Sequence, residues 1–107
     1  MNSFDLYGWK NSDIDNIKLK VEHALGLKFE LHESTYHGGD YYLFGKLDEE
    51  NFSLEYNKDL DENEPTEDDY SEYIILLYVN RTKRSQELHD LIKTVIDDAE
   101  YLRHEDV

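Results

Sequence analysis

The chain has 107 residues, with 11 Lys and Arg against 26 Asp and Glu and a formal net charge of −15. A charge of that sign repels phosphate backbones and excludes an ordinary nucleic-acid-binding face, while favouring encounter with a positively charged partner. The lack of cysteine excludes disulfides, thiolate nucleophiles and Cys-based metal centres, and with 38% hydrophobic residues the length supports one compact acidic domain over 1–107 rather than a disordered chain.

The chain begins Met1-Asn2-Ser3-Phe4-Asp5, without the basic region and apolar run of a signal peptide. No stretch approaches the roughly 20 apolar residues of a bilayer span, so no membrane partner and a cytoplasmic location are expected. The first periodic segment is Ser12 to Leu25, where Ile14, Ile17, Val21, Ala24 and Leu25 fall on one helical face. Ser12 and Asp15 suit a capping box and Gly26 a left-handed stop. From Leu27 the period becomes two: Leu27, Phe29 and Leu31 alternate with Lys28, Glu30 and His32 as in a half-buried strand. His37-Gly38-Gly39-Asp40 predicts a tight turn, Tyr41 to Leu47 the returning strand, and Phe52, Leu54 and Tyr56 a third strand with Ser53, Glu55 and Asn57 on its other side. Short links make an antiparallel meander of the three.

Residues 58–71 form an acidic loop containing Pro65. Beyond it, Tyr73 to Val79 is apolar on both parities, which predicts a strand covered on both faces, with a parallel neighbour allowed. From about Thr82 to Leu102 the residues Leu88, Leu91, Ile92, Val95, Ile96, Ala99 and Leu102 make the longest amphipathic stripe, with Thr82 or Ser85 as its cap. Burying both helix stripes calls for a shared surface. The expectation is an α+β fold: an antiparallel or mixed sheet of about four strands with N-terminal and C-terminal helices packed on it.

The acidic loop concentrates the charge. Asp59, Asp61, Glu62, Glu64, Glu67, Asp68, Asp69 and Glu72 follow without an intervening Lys or Arg, and Tyr70 lies among them. Such crowding repels itself unless solvent, a cation or a basic partner offsets it. A solvated loop with no specific role is one reading and recognition of a basic protein surface is another. Cation binding is a third, because Asp59, Asp61 and Asn63 alternate like the start of an EF-hand. Glu64 and Tyr70 then stand where that loop needs Gly and a bidentate Glu, so no dedicated metal site is expected. Tyrosines 36, 41, 42, 56, 70, 73 and 78 add amphipathic surface that suits either an interface or the core.

The five histidines form no close metal-binding pair. His23, His32 and His89 read as surface residues, and His37 beside the Gly-Gly turn is the better candidate for acid–base chemistry with Asp40. Neither a GxGxxG nor a Walker-type loop occurs, so no catalytic residue and no cofactor is expected. The cluster Arg81, Lys83 and Arg84 stands beside too much negative charge to make a nucleic-acid face, and pairing with the acidic loop or plain solvation would account for it.

The run Ala24-Leu25-Gly26-Leu27-Lys28-Phe29-Glu30-Leu31-His32-Glu33-Ser34, its continuation Tyr36-His37-Gly38-Gly39-Asp40-Tyr41-Tyr42, and the stretch from Tyr73 to Ser85 resemble CdiI-type immunity proteins of bacterial contact-dependent growth-inhibition and related polymorphic-toxin systems. The resemblance implies a cytoplasmic antidote that binds a basic C-terminal toxin domain, often a nuclease, and shields its nucleic-acid-attracting surface. No motif of the family assigns the carboxylates. Charge clustering alone selects Asp59, Asp61, Glu62, Glu64, Glu67, Asp68, Asp69, Tyr70 and Glu72 as partner-binding residues. A small regulatory or structural homodimer is the alternative, followed by a small enzyme using His37.

Overall fold

In the computed structural model, which describes residues 2–34 and 39–107, the order is β1 (Ser3–Trp9), α1 (Ile14–Leu25), β2 (Glu30–Ser34), β3 (Gly39–Gly45), β4 (Asn51–Tyr56), β5 (Ile75–Thr82), α2 (Ser85–Val95) and β6 (Glu100–Asp106). The strands form one sheet in the order β2-β3-β4-β5-β1-β6, and each neighbouring pair is antiparallel. Although β2 begins at Glu30 rather than Leu27, and Leu31, expected on the buried side, is exposed, the α+β class and the β2-β3-β4 meander agree with the sequence pattern. The count of about four strands does not, because β1 and β6 precede and follow the helices, which are therefore not terminal. The parallel neighbour allowed for β5 is also absent, since β4 and β1 both run against it.

Strand β1 fills the gap beside β5 because its second half, Leu6 to Trp9, places large apolar residues on both faces. Tyr7 and Trp9 join the core under the helices, whereas Leu6 belongs to a second cluster with Tyr73 and Leu76. Gly8 lets that second layer approach: a Cβ there would stand 2.7 Å from Leu102 Cδ1 and 2.9 Å from Tyr73 Cδ1. The alternation Ser3-Phe4-Asp5-Leu6 breaks at Tyr7-Gly8-Trp9, so these seven residues carry little periodic signal, which is why the strand is hard to read from sequence.

The cap of helix α1 lies one residue later than expected. Asp13, not Ser12, occupies the cap position and its Oδ1 accepts from Asn16 N at 3.2 Å. At the other end Gly26 adopts φ +66° and donates its N–H to Glu22 O at 2.9 Å, the left-handed stop its position predicts. Ile14, Ile17, Val21 and Ala24 face the sheet.

Helix α2 is much shorter than its stripe. Leu88 and Ile92 are buried and Ile96 and Ala99 remain in the core, but Leu91 and Val95 are exposed and the helix stops at Val95. Continuing it would place Asp97 and Asp98 at the negative end of the helix dipole. Instead they turn the chain, with Lys93 Nζ donating to Ala99 O at 2.5 Å and Trp9 Nε1 to Asp98 Oδ1 at 3.3 Å. Residues 100–106 then run as an edge strand against β1.

Both helices lie on one sheet face over Phe52, Leu54, Ile75, Leu77 and Val79. Ile92→Ala should therefore lower unfolding free energy by about 2–5 kcal/mol, whereas Leu91→Ala on the same apparent stripe should cost less than about 1 kcal/mol. Urea denaturation of the two variants measures the difference, and equal losses would contradict the position of the helix.

Candidate functional site

The sheet face opposite the helices is covered by the acidic segment between β4 and β5. Its first part is a tight turn in which Asp59 and Glu64 exchange backbone hydrogen bonds of 2.7 and 3.3 Å. Asp59 Oδ1 accepts from the amides of Asp61 (3.0 Å) and Glu62 (3.3 Å), and Asn63 takes φ +55°. The alternation that imitates an EF-hand thus builds an Asx-type turn. Among the described residues no group of three or more His, Cys, Asp or Glu is placed to hold a metal ion.

The second part is a cover fixed to the sheet. Asn57 is buried; its Nδ2 donates to the carbonyls of Tyr70 and Tyr73 at 3.0 Å each, and its Oδ1 accepts from Glu67 N at 2.9 Å. Tyr70 OH donates to Leu102 O at 3.0 Å and Tyr73 OH to Glu100. Tyr70 and Tyr73 close over Leu6 and Leu76. This accounts for β5 being apolar on both parities: the helices cover one face and this segment the other.

Glu67 fastens the cover. Its carboxylate accepts from Arg103 Nη1 (2.9 Å), Arg103 Nη2 (3.3 Å) and Tyr78 OH (2.6 Å). Burial pushes the Glu67 carboxyl upward, but the Arg103 and Tyr78 hydrogen bonds, with the Arg103 charge, outweigh it and hold it below the ordinary range. Tyr78 is driven far above its ordinary value by burial, by its bond to Glu67 and by the charge of Glu55.

Beside this cover a cavity of about 440 Å³ opens over β3, β4 and β5. Asn51, Ser53 and Glu55 from β4 line it and are all buried, Glu55 to 2% exposure. Ser53 Oγ donates to Glu55 Oε2 at 2.7 Å and Asn80 Nδ2 to Asn51 Oδ1 at 3.0 Å. Tyr41, Tyr78, Thr66 and Glu67 stand around them, and Thr66 Oγ1 is buried without a hydrogen-bond partner among the described residues. The polar side of β4 is therefore enclosed.

A separate polar cluster joins β1, β6 and α2. Asp5, 4% exposed, accepts from Ser85 Oγ (2.6 Å) and Tyr101 OH (2.7 Å) and meets His104 Nδ1 at 2.5 Å. His104 Nε2 lies 3.0 Å from Asp106, and its hydrogen bonds to Asp5 and Asp106 raise its pKa. His89 is half-buried rather than a plain surface residue, and its Nδ1 shares a 3.1 Å hydrogen bond with Tyr7 OH. These contacts seal the edge strand to the helix layer.

Of the residues selected by charge clustering, Asp61, Glu62, Glu64, Asp68, Asp69 and Glu72 are exposed, while Asp59, Glu67 and Tyr70 are half-buried with the internal roles just given. Arg84 pairs with Glu50 (2.7 Å) and Glu87 (3.2 Å) instead of the acidic segment, and Arg81 Nε donates to Leu47 O; Arg103 reaches the segment at Glu67. His37 and its turn lie outside the described residues. Sequence reasoning missed Asn51, Ser53, Glu55 and Thr66. The available signal was β5 itself, because a strand buried on both faces needs a second layer that also shelters its neighbour's polar side. No helix of the described residues is long and apolar enough to cross a membrane. Compared with protein-family models and with curated protein sequences, the chain matches none.

The pKa directions fix the shape of the stability profile. Glu67 and Glu50 are depressed, so their contribution is present above about pH 4.5, the ordinary glutamate value, and is lost as pH falls through their folded values. His104 is raised, so its contribution is full below about pH 6.5 and is lost as pH rises through its folded value. Glu67→Gln should destabilise the fold by roughly 1–3 kcal/mol at neutral pH and flatten the acid limb, and His104→Gln should flatten the other limb. Urea midpoints between pH 3 and 9 check both.

Proposed function

We propose that the chain is an immunity protein: a binding protein, not an enzyme, that neutralises the basic C-terminal toxin domain of a contact-dependent growth-inhibition system in the cytoplasm by covering its charged surface. The observation that carries this reading is the arrangement of Asp61, Glu62, Glu64, Asp68, Asp69 and Glu72, six exposed acids on a backbone tied to the sheet by Asn57, Glu67 and Tyr70. A fixed backbone loses little conformational freedom on binding, so the charges meet a basic surface at low entropic cost. A toxin that binds RNA or DNA has such a surface, and the net charge of −15 steers the encounter. The resemblance noted above supplies the biological setting.

The interface assigned here is narrower than the charge cluster. Asp59 caps its own turn, Glu67 holds Arg103 and Tyr78, and Tyr70 closes the second core, so the six exposed acids make the outer contacts.

A tagged form of the protein should capture from its native cells a basic domain that arrests growth when expressed alone, and co-expression of the chain should restore growth. Replacing Asp61, Glu64, Asp68 and Asp69 with Asn or Gln should slow association by about tenfold at low salt, with less effect at high salt. Circular dichroism should show an unchanged fold. Capture of only the same chain, or an unchanged association rate, would contradict the proposal.

A further inference from the structure

The cavity beside the cover is an unusual use of a sheet face. Strand β4 places Asn51, Ser53 and Glu55 there in succession, each buried, where apolar residues would be cheaper to enclose. Two carboxylates are among its described lining residues: Glu67, which accepts from Tyr78 OH at 2.6 Å, and the buried Glu55. Neither Lys nor Arg is among the described residues lining it, although Arg103 pairs with Glu67 from beside it, and Thr66 presents a buried hydroxyl oxygen with no hydrogen-bond partner among the described residues. Carboxylate, amide and hydroxyl groups and two tyrosines thus line the cavity together with Leu43 and Leu47.

We propose that this cavity is a receptor for one arginine side chain of the partner. The match is chemical. A guanidinium is flat, carries five donors and no acceptor, and keeps its charge when desolvated, so it suits carboxylate, amide and hydroxyl oxygens set around a narrow floor. Tyr41 and Tyr78 add aromatic rings to the same lining, and aromatic rings attract cations. The volume of about 440 Å³ admits the guanidinium with its methylene stem. The receptor rests on the reading of the chain as a binder of a basic protein, and it divides the work within that reading: the outer acids set the rate of encounter, and the seated arginine sets the lifetime of the complex.

N-acetyl-arginine amide and its uncharged isostere N-acetyl-citrulline amide separate the two roles without any toxin. Titrated into the isotopically labelled protein, the arginine probe should shift the amide resonances of Ser53, Glu55, Thr66 and Tyr78 saturably, and the citrulline probe should not. Glu55→Gln should weaken the arginine probe about tenfold or more, and Thr66→Val, which removes no charge, about threefold. Neutralising Asp61, Glu64, Asp68 and Asp69 together should leave those shifts within about twofold, the residual effect of screened outer charges. Equal shifts from the citrulline probe, or arginine shifts confined to residues 61–72, would overturn the receptor. Growth protection by the chain combined with that outcome would remove the receptor and leave the immunity reading intact. Saturable arginine shifts in a chain that protects no cell would uphold the receptor and remove the immunity reading.

Discussion

A central strand that is apolar on both faces must be covered twice, and this protein has helices on only one side. The rest of the structure follows from how the second cover is made. Leu6 and Leu76 stand on the face away from α1 and α2, and the chain between β4 and β5 returns over them, bringing Tyr70 and Tyr73. An acidic segment is a poor hydrophobic cover, so its attachment is polar: Asn57 satisfies three backbone groups, and Glu67 joins Arg103 to Tyr78. Buried hydrogen bonds of this kind specify one arrangement, because losing a partner strands the remaining group.

That solution has two consequences for function. The charges that do not hold the segment are left on its outside with a fixed geometry, which is what a preorganised interface needs. The cover also reaches only part of the way across the sheet. Over β3 and β4 it leaves the cavity lined by Glu55 and Glu67.

How much of this the sequence discloses depends on whether a segment carries its own period. Helix α1, with Ile14, Ile17, Val21 and the Gly26 stop, was legible because its signals are local, and so was the β2-β3-β4 meander. Strand β1 was not, since Tyr7, Trp9 and Leu6 are buried on opposite faces and show no alternation. The true end of α2 was hidden by apolar residues that continue at helical spacing into β6, although Asp97-Asp98 opposes the helix dipole. For the site, the acidic segment was conspicuous as composition, but the split between Glu67, which works inward, and Asp68 and Asp69, which face out, depends on Arg103, distant in sequence. Ser53 and Glu55 alternate as a solvent-facing side would, and only the return of the chain over β5 encloses them.

The most direct measurement is native-state amide hydrogen exchange across residues 57–75. If the acidic segment is a fixed second cover, the amides of Asn57, Tyr73 and Ile74, which bond to Ile74 O, Tyr70 O and Trp9 O, will be protected well above those of Glu62 and Asn63 at the turn. Uniformly rapid exchange from Asn57 to Ile74 would mean that the segment is a solvated loop, and the account of both the second core and the interface would fail.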